Sequence, residues 1–286
     1  MFCVIGVIVC CLMHGSSADY IGAVVEYNHV PSENSSLTVE ENLEHYLYQI
    51  SQASVFGAQI IVFPEYGLTG LVQQPDDYAV WIPDVGTEGF LSEAYVLLTL
   101  SNAAIERRLY VVANLLEKAN GTNNNTLYYN TNVVFADNGT LVAKYRKINL
   151  NEGESSLTPG NATSIFVTSF GTFALVTGTD IWFSHPSQSV LVNNGVTDVI
   201  FPTAWNSTFP FQMSLSVQVG YALANRVNLL AANINNPSNG FGGSSIINNE
   251  GITLRTILRD SSATNIVYGN VAPTILSPEP FVSFPS

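Results

Sequence analysis

Cysteines, histidines and a few acidic and basic residues at the ends of apolar runs are the side chains that could do chemistry in this chain. Its cysteines, Cys3, Cys10 and Cys11, all fall in the first few residues. There, an apolar run from Phe2 to Met13 leads into His14-Gly15-Ser16-Ser17-Ala18, with small residues at the positions a signal peptidase reads. Residues 1–18 are therefore expected to be a signal peptide cleaved before Asp19. Its apolar core of about 12 residues falls short of the roughly 20 needed to span a bilayer, so no membrane span is expected. Cleavage would leave no thiol nucleophile, no disulfide and no thiolate metal ligand. The histidines His14, His29, His45 and His185 have no metal-ligand spacing, and no metal or other cofactor is expected.

The remaining candidates lie just beyond buried runs, where ligands collect in α/β domains: Glu65, Lys147, position 178 and the Trp205-Asn206 region. Each is ordinary when taken singly. A charged residue after a strand is commonly solvated, Gly178 alone reads as a turn, and the aromatic stretch Trp205 to Phe211 is compatible with core.

The elements that must position them follow from periodicity. Thr38 and Glu41 form a capping box ahead of Leu43, Tyr46, Leu47, Ile50 and Ala53, predicting a helix over 39–56 that Gly57 ends. Gln59 to Phe63 reads as a strand buried on both faces, stopped by Pro64, with Glu65 just past its end. A helix over 91–107 and a strand over 110–115 repeat the pattern, which argues for an α/β domain. Tyr129 to Ala136 and Leu141 to Lys147 read as a hairpin whose Asn138-Gly139 supplies the positive φ angles of a tight turn. Further strands are expected at Ile165 to Thr168, Thr172 to Thr177, Val199 to Phe201, Leu229 to Asn233, Ser244 to Ile247 and Ile252 to Ile257, with a helix over 212–226. One compact domain over 19–270 precedes a Pro-rich tail, 271–286.

The 286 residues carry 22 acidic and 9 basic side chains, a net charge of −13, which argues against nucleic-acid and anionic-membrane partners. Charged residues are only 11% of the chain, low for a soluble surface. Sequons at Asn34, Asn120, Asn124, Asn138, Asn161 and Asn206 offer glycans as an alternative source of solubility.

Taken in order, Phe63-Pro64-Glu65-Tyr66-Gly67, Lys144 to Leu150, Thr177-Gly178-Thr179-Asp180-Ile181-Trp182-Phe183 and Ile200 to Trp205 resemble the successive signature blocks of the carbon-nitrogen hydrolase (nitrilase) superfamily. Asn225 to Ile234 and the Pro202-Thr203-Ala204-Trp205 run resemble its vanin (pantetheinase) and biotinidase branch. The resemblance extends from about Tyr20 to Ile257 and implies a four-layer α-β-β-α sandwich, often found as a homo-oligomer.

In that superfamily a glutamate accepts a thiol proton, the thiolate attacks an amide or nitrile carbon, and a lysine stabilises the oxyanion. The resemblance puts Glu65 at the base position, Lys147 at the lysine position, and Glu152 or Glu154 at a second glutamate position. The nucleophile position falls on Gly178, which has no side chain, and Thr177 and Thr179 flank it as poor substitutes. Removing the nucleophile of a catalytic unit costs on the order of 10⁶ in turnover. Vanins and biotinidase also continue into a β-rich domain, whereas this sequence ends at Ser286. The implied function is a secreted, inactive homologue that binds a small amide-type ligand or a protein partner. An active amidohydrolase on pantetheine- or biotin-type amides, and a structural or storage glycoprotein, stand as alternatives.

Overall fold

The computed structural model describes residues 18–72, 74–86, 95–122, 125–192, 194–208, 212–258 and 261–274. Nearly all of the expected signal peptide, the sequon at Asn124 and most of the Pro-rich tail lie outside the described residues.

Two sheets stack face to face. The first contains β1 (Tyr20–Glu26), β2 (Ile60–Val62), β3 (Val80–Trp81), β4 (Tyr110–Asn120), β5 (Thr126–Phe135), β6 (Leu141–Arg146) and β13 (Asn265–Val271), in the order β13-β1-β2-β4-β5-β6 with β3 alongside β4. The second contains β7 (Ile165–Val167), β8 (Thr172–Leu175), β9 (Asp198–Thr203), β10 (Asn228–Asn233), β11 (Ser244–Ile247) and β12 (Thr253–Ile257), in the order β12-β11-β10-β9-β8-β7. The helices are α1 (Ser35–Val55), α2 (Tyr95–Arg107), the single turn α3 (Ser184–Ser187) and α4 (Met213–Asn225).

Strand β2 shows how the layers follow from sequence. Ile60 and Val62 face the second sheet, among Val24, Val112, Phe173, Ile200 and Leu230. Ile61, between them, faces the other way and packs under α1 and α2 with Leu43, Tyr46, Ile50, Leu97 and Leu100. A strand covered on both sides has no solvent face to mark with polar residues. On the far side, Tyr221 and Ala222 of α4 cover Phe201 and Leu229. The result is the expected α-β-β-α sandwich.

Strands β1, β2 and β4 run parallel, as do β8, β9 and β10. Strand β6 runs in the same direction as β4, because both are antiparallel to β5. The residues that follow β2, β6, β8 and β9 therefore emerge at one edge of the sandwich. The sheets are stitched at that edge: Tyr27 donates its N–H to the Asn233 carbonyl at 3.1 Å, and Asn235 returns its N–H to Tyr27 at 2.7 Å. The buried carboxylate of Glu26 accepts from Gly243 N–H at 2.8 Å and Asn235 Nδ2 at 3.0 Å, so its desolvation is offset by hydrogen bonds.

Several boundaries differ from expectation. Helix α1 starts a turn earlier, because Asn34 Oδ1 caps Leu37 N–H at 3.0 Å, while the Thr38 hydroxyl accepts from Ser32 N–H instead. The expected start of the second helix at Leu91 falls outside the described residues, and Tyr95–Arg107 is helical as expected. In the β5–β6 turn only Gly139 has a positive φ, +81°, so Asn138 does not share the left-handed conformation. Strand β4 runs on to Asn120 and pairs with β5 as a long hairpin. Strands β1 and β13 were not anticipated as a pair; Asn265, Gly269 and Asn270 interrupt the apolar pattern of β13.

Phe173 is fully buried between the sheets and stacks on Phe166 with ring centroids 5.0 Å apart. Phe173→Ala is expected to lower the unfolding free energy by about 3–5 kcal/mol in denaturant titration. Val167→Ser, at an edge position 70% exposed, is expected to change it by no more than about 0.5 kcal/mol.

Candidate active site

Glu65 and Lys147, separated by 82 positions, meet because β2 and β6 end at the same edge. Lys147 Nζ lies 2.7 Å from Glu65 Oε1 and 2.8 Å from Glu154 Oε2, and all three side chains are buried. Of the two candidates, Glu154 is thus the one beside the lysine, and Glu152 is exposed. Glu154 sits on a short 3₁₀ turn capped by Asn151, and its Oε2 accepts the Asn151 N–H at 2.8 Å. Two of the three N–H donors of Lys147 are spent on carboxylates.

The carboxylates have further partners that the sequence reading missed. Asn130 Nδ2 bridges Glu65 Oε1 at 2.7 Å and Glu154 Oε1 at 2.8 Å, and the Tyr66 hydroxyl also donates to Glu154 Oε1. Asn130 is held by Asn114, whose Nδ2 donates to Asn130 Oδ1 at 2.6 Å and to Asn132 Oδ1 at 2.8 Å. Asn114 Oδ1 in turn accepts the N–H of Tyr66 at 2.9 Å, which supports that residue at a φ of +59°. A left-handed aromatic residue next to a buried charge is a place where surrounding structure fixes a strained backbone. The signal available was the period-2 spacing of Asn130 and Asn132 on one face of a strand that runs on into Val133-Val134-Phe135, where buried amides need partners.

Electrostatics divide the two glutamates. Burial pushes the Glu65 carboxyl above its usual range, and the neighbouring Lys147 offsets this only in part. Burial also acts on Glu154, but the charge and hydrogen bond of Lys147 outweigh it and hold that carboxyl below its usual range. For Lys147, burial opposes the charge, and the two glutamates more than compensate, raising its pKa. Glu154 therefore contributes stability that is present above the ordinary carboxyl range and lost as pH falls through its folded value. Lys147 contributes stability that is present below the ordinary lysine range and lost as pH rises through its folded value.

Gly178 closes the cluster from the other sheet. It opens the 3₁₀ segment Gly178–Trp182 just after β8, with a φ of +49°. A Cβ there would stand 2.6 Å from Glu65 Oε2 and 3.0 Å from Lys147 Nζ. A side chain at 178 would thus point between the base-position carboxylate and the lysine, and Glu65 Oε2, which accepts the Ala204 N–H at 2.9 Å, would have to yield slightly. The segment is locked in place by buried Asp180, which accepts from the Tyr145 hydroxyl at 2.6 Å and from Asn149 N–H at 2.7 Å.

The hydroxyls of the flanking threonines are both engaged elsewhere. The Thr177 hydroxyl accepts from Asn132 Nδ2 at 2.6 Å in the interior, and the Thr179 hydroxyl donates to the Asn149 carbonyl. A cleft of about 180 Å³ opens over Glu65, Lys147 and Gly178 and is walled by Trp182 and Trp205. Asn206 also lines it, so that sequon stands at the cleft rather than on a remote face; Asn34, Asn138 and Asn161 lie elsewhere in the chain's loops and Asn120 ends β4. Among the described residues no group of three or more His, Cys, Asp and Glu side chains is placed to hold a metal. Nor is any helix among them long and apolar enough to cross a membrane.

Biotinidase from Bos taurus is 37% identical over 257 residues, covering 79% of this chain and 49% of its own length. Vanin-like protein 2 from Drosophila melanogaster is 33% identical, covering 87% of this chain and 50% of its own. Pantetheinase from Sus scrofa is 32% identical, covering 82% and 52%. The chain spans about half the length of the curated relatives it matches. Among solved structures, an amidase from Nesterenkonia superposes with a TM-score of 0.70 at 18% identity, over 91% of this chain and 92% of that one. A cysteine-to-alanine variant of the Nesterenkonia sp. AN1 amidase, in complex with butyramide, superposes equally well, with a TM-score of 0.70 at 18% identity over 90% and 91%. Residues 23–274 match the carbon-nitrogen hydrolase family, and the chain belongs to that family.

Proposed function

We propose that this protein is a secreted, glycosylated homologue of the vanin and biotinidase hydrolases that has lost cysteine-dependent amide cleavage and acts by binding. Its ligand is a small amide-type molecule, or a protein segment that presents one. The observation that carries this reading is glycine at position 178, between a glutamate and a lysine that remain in hydrogen-bonding position. Hydrolysis through an acyl-enzyme needs an atom there to attack the carbonyl carbon, and glycine supplies none.

The remaining groups suit recognition. Glu65 Oε2 borders the vacated space as an acceptor for an amide N–H, and Lys147 borders it as a donor to an amide oxygen. Such a pair reads both halves of a carboxamide with charge-assisted hydrogen bonds. A buried ion cluster is weak evidence for stability alone, because replacing it with well-packed apolar residues is often neutral or stabilising. Its persistence beside an open cleft supports a binding role. The chain lengths of the relatives make the activity of any longer protein part of the same proposal.

Titration of the purified protein with acetamide, butyramide and pantetheine- or biotin-type amides is expected to raise its melting temperature without releasing amine or acid. At 100 times its dissociation constant a ligand adds about 2.7 kcal/mol of stability. Lys147→Ala is expected to abolish that shift and to cost about 3–5 kcal/mol of stability, because it leaves two carboxylates buried without their cation. Product release by the natural chain, or no stabilisation by any amide, would overturn the reading.

A further inference from the structure

The polar floor accounts for only half of the cleft. Above it, the rings of Trp182 and Trp205 stand with centroids 5.1 Å apart and planes inclined at 48°. Trp182 is 54% exposed, a large apolar surface left in water at the mouth of a charged pocket. Tryptophan is costly to leave uncovered and gives a flat, rigid contact face with few rotamers to freeze.

Both indoles are mounted on the site's own scaffold. Trp182 closes the same 3₁₀ segment that Gly178 opens. Trp205 is clamped through its backbone by the fully buried amide of Asn233: its N–H donates to Asn233 Oδ1 at 2.8 Å, and its carbonyl accepts from Nδ2 at 3.2 Å. Asn233 Nδ2 also donates to the Gly242 carbonyl at 2.6 Å, which ties the clamp to the stitched edge of the sheets.

We infer that the cleft selects uncharged amides carrying a flat ring, with the carboxamide on Glu65 and Lys147 and the ring against Trp182 and Trp205. This rests on the amide-binding reading given above. Size sets the scale. A cavity of about 150 Å³ holds a benzene ring, so a cleft of about 180 Å³ has room for a ring. Charge excludes an acidic substituent. Lys147, the one cation among the described residues lining the cleft, is already paired with Glu65 in the lining and with Glu154 behind it, in a chain of net charge −13. Trp182 is thus a specificity-determining residue that touches the ligand's ring, and Asn233 is a positioning residue that acts through Trp205.

Calorimetric titration with acetamide, phenylacetamide and cyclohexylacetamide tests this directly. Phenylacetamide is expected to bind at least ten-fold more tightly than acetamide, with cyclohexylacetamide, equal in size but not flat, clearly weaker. Trp182→Ala is expected to remove the advantage of the ring, so that phenylacetamide binds no more tightly than acetamide, and Trp182→Phe to restore part of it. Of the chain's three tryptophans, Trp81 lies away from the cleft beside Lys118. In a Trp81→Phe background, phenylacetamide is therefore expected to change the emission of the cleft pair. If acetamide binds but the ring adds nothing, if its advantage survives Trp182→Ala, or if the cyclohexyl compound binds as well as the phenyl one, the inference falls and amide binding stands. If none of the three binds, the amide-binding reading falls and takes the inference with it.

Discussion

The buried ammonium of Lys147, shared between Glu65 and Glu154, is the constraint around which this edge of the protein is arranged. Three charges removed from water demand close partners, and each element at the edge supplies one. Strand β2 delivers Glu65, β6 delivers Lys147, the capped turn after it delivers Glu154, and Asn130 on β5 bridges the two carboxylates. Asn114 then holds Asn130, and the left-handed backbone of Tyr66 lets its hydroxyl reach Glu154. Pairing and hydrogen bonding make such a cluster tolerable, but compared with a well-packed apolar replacement it is often no more stable. Its arrangement is better explained by what it can hold than by what it adds to folding.

What it can hold is set from the second sheet. Gly178 places bare backbone where a side chain would meet both Glu65 and Lys147, and all three line a cleft walled by two indoles. The surrounding machinery is otherwise kept: Asp180 anchors the 178–180 segment to Asn149 and Tyr145, and Ala204 N–H fixes the free oxygen of Glu65. On the reading proposed above, a site with its acceptor, donor and walls in place and glycine at 178 recognises an amide without cutting it.

Much of this was legible in the sequence. Strand β2 announced itself by an unbroken apolar run ended by Pro64, which put Glu65 at a strand end, and the ordered blocks around Lys147 and Gly178 identified their partners. The cluster's amides were not legible, because Asn114, Asn130 and Asn132 come from strands whose alignment only the long β4–β5 hairpin fixes, and the sequence reading ended the first of those strands at Leu115. Glu154 could not be separated from Glu152 without the capped turn that aims one inward and leaves the other in solvent. The start of α1 was misplaced for a local reason: two capping residues compete, and Asn34, one turn earlier, takes the helix N-terminus while Thr38 turns back to Ser32.

The central claim is that this site lacks a nucleophile and little else. It is tested most directly by assaying amide hydrolysis by the natural chain beside Gly178→Cys, with Gly178→Ala as the control for backbone strain. At φ +49° any side chain costs on the order of 1–3 kcal/mol, so both variants should be less stable than the natural protein to a similar degree. The account predicts no turnover by the natural chain or by the alanine variant, and measurable amide hydrolysis by the cysteine variant. Turnover by the natural chain, lost on Glu65→Gln, would contradict it, since the nucleophile would then be present in a form the geometry of residues 177–180 does not supply.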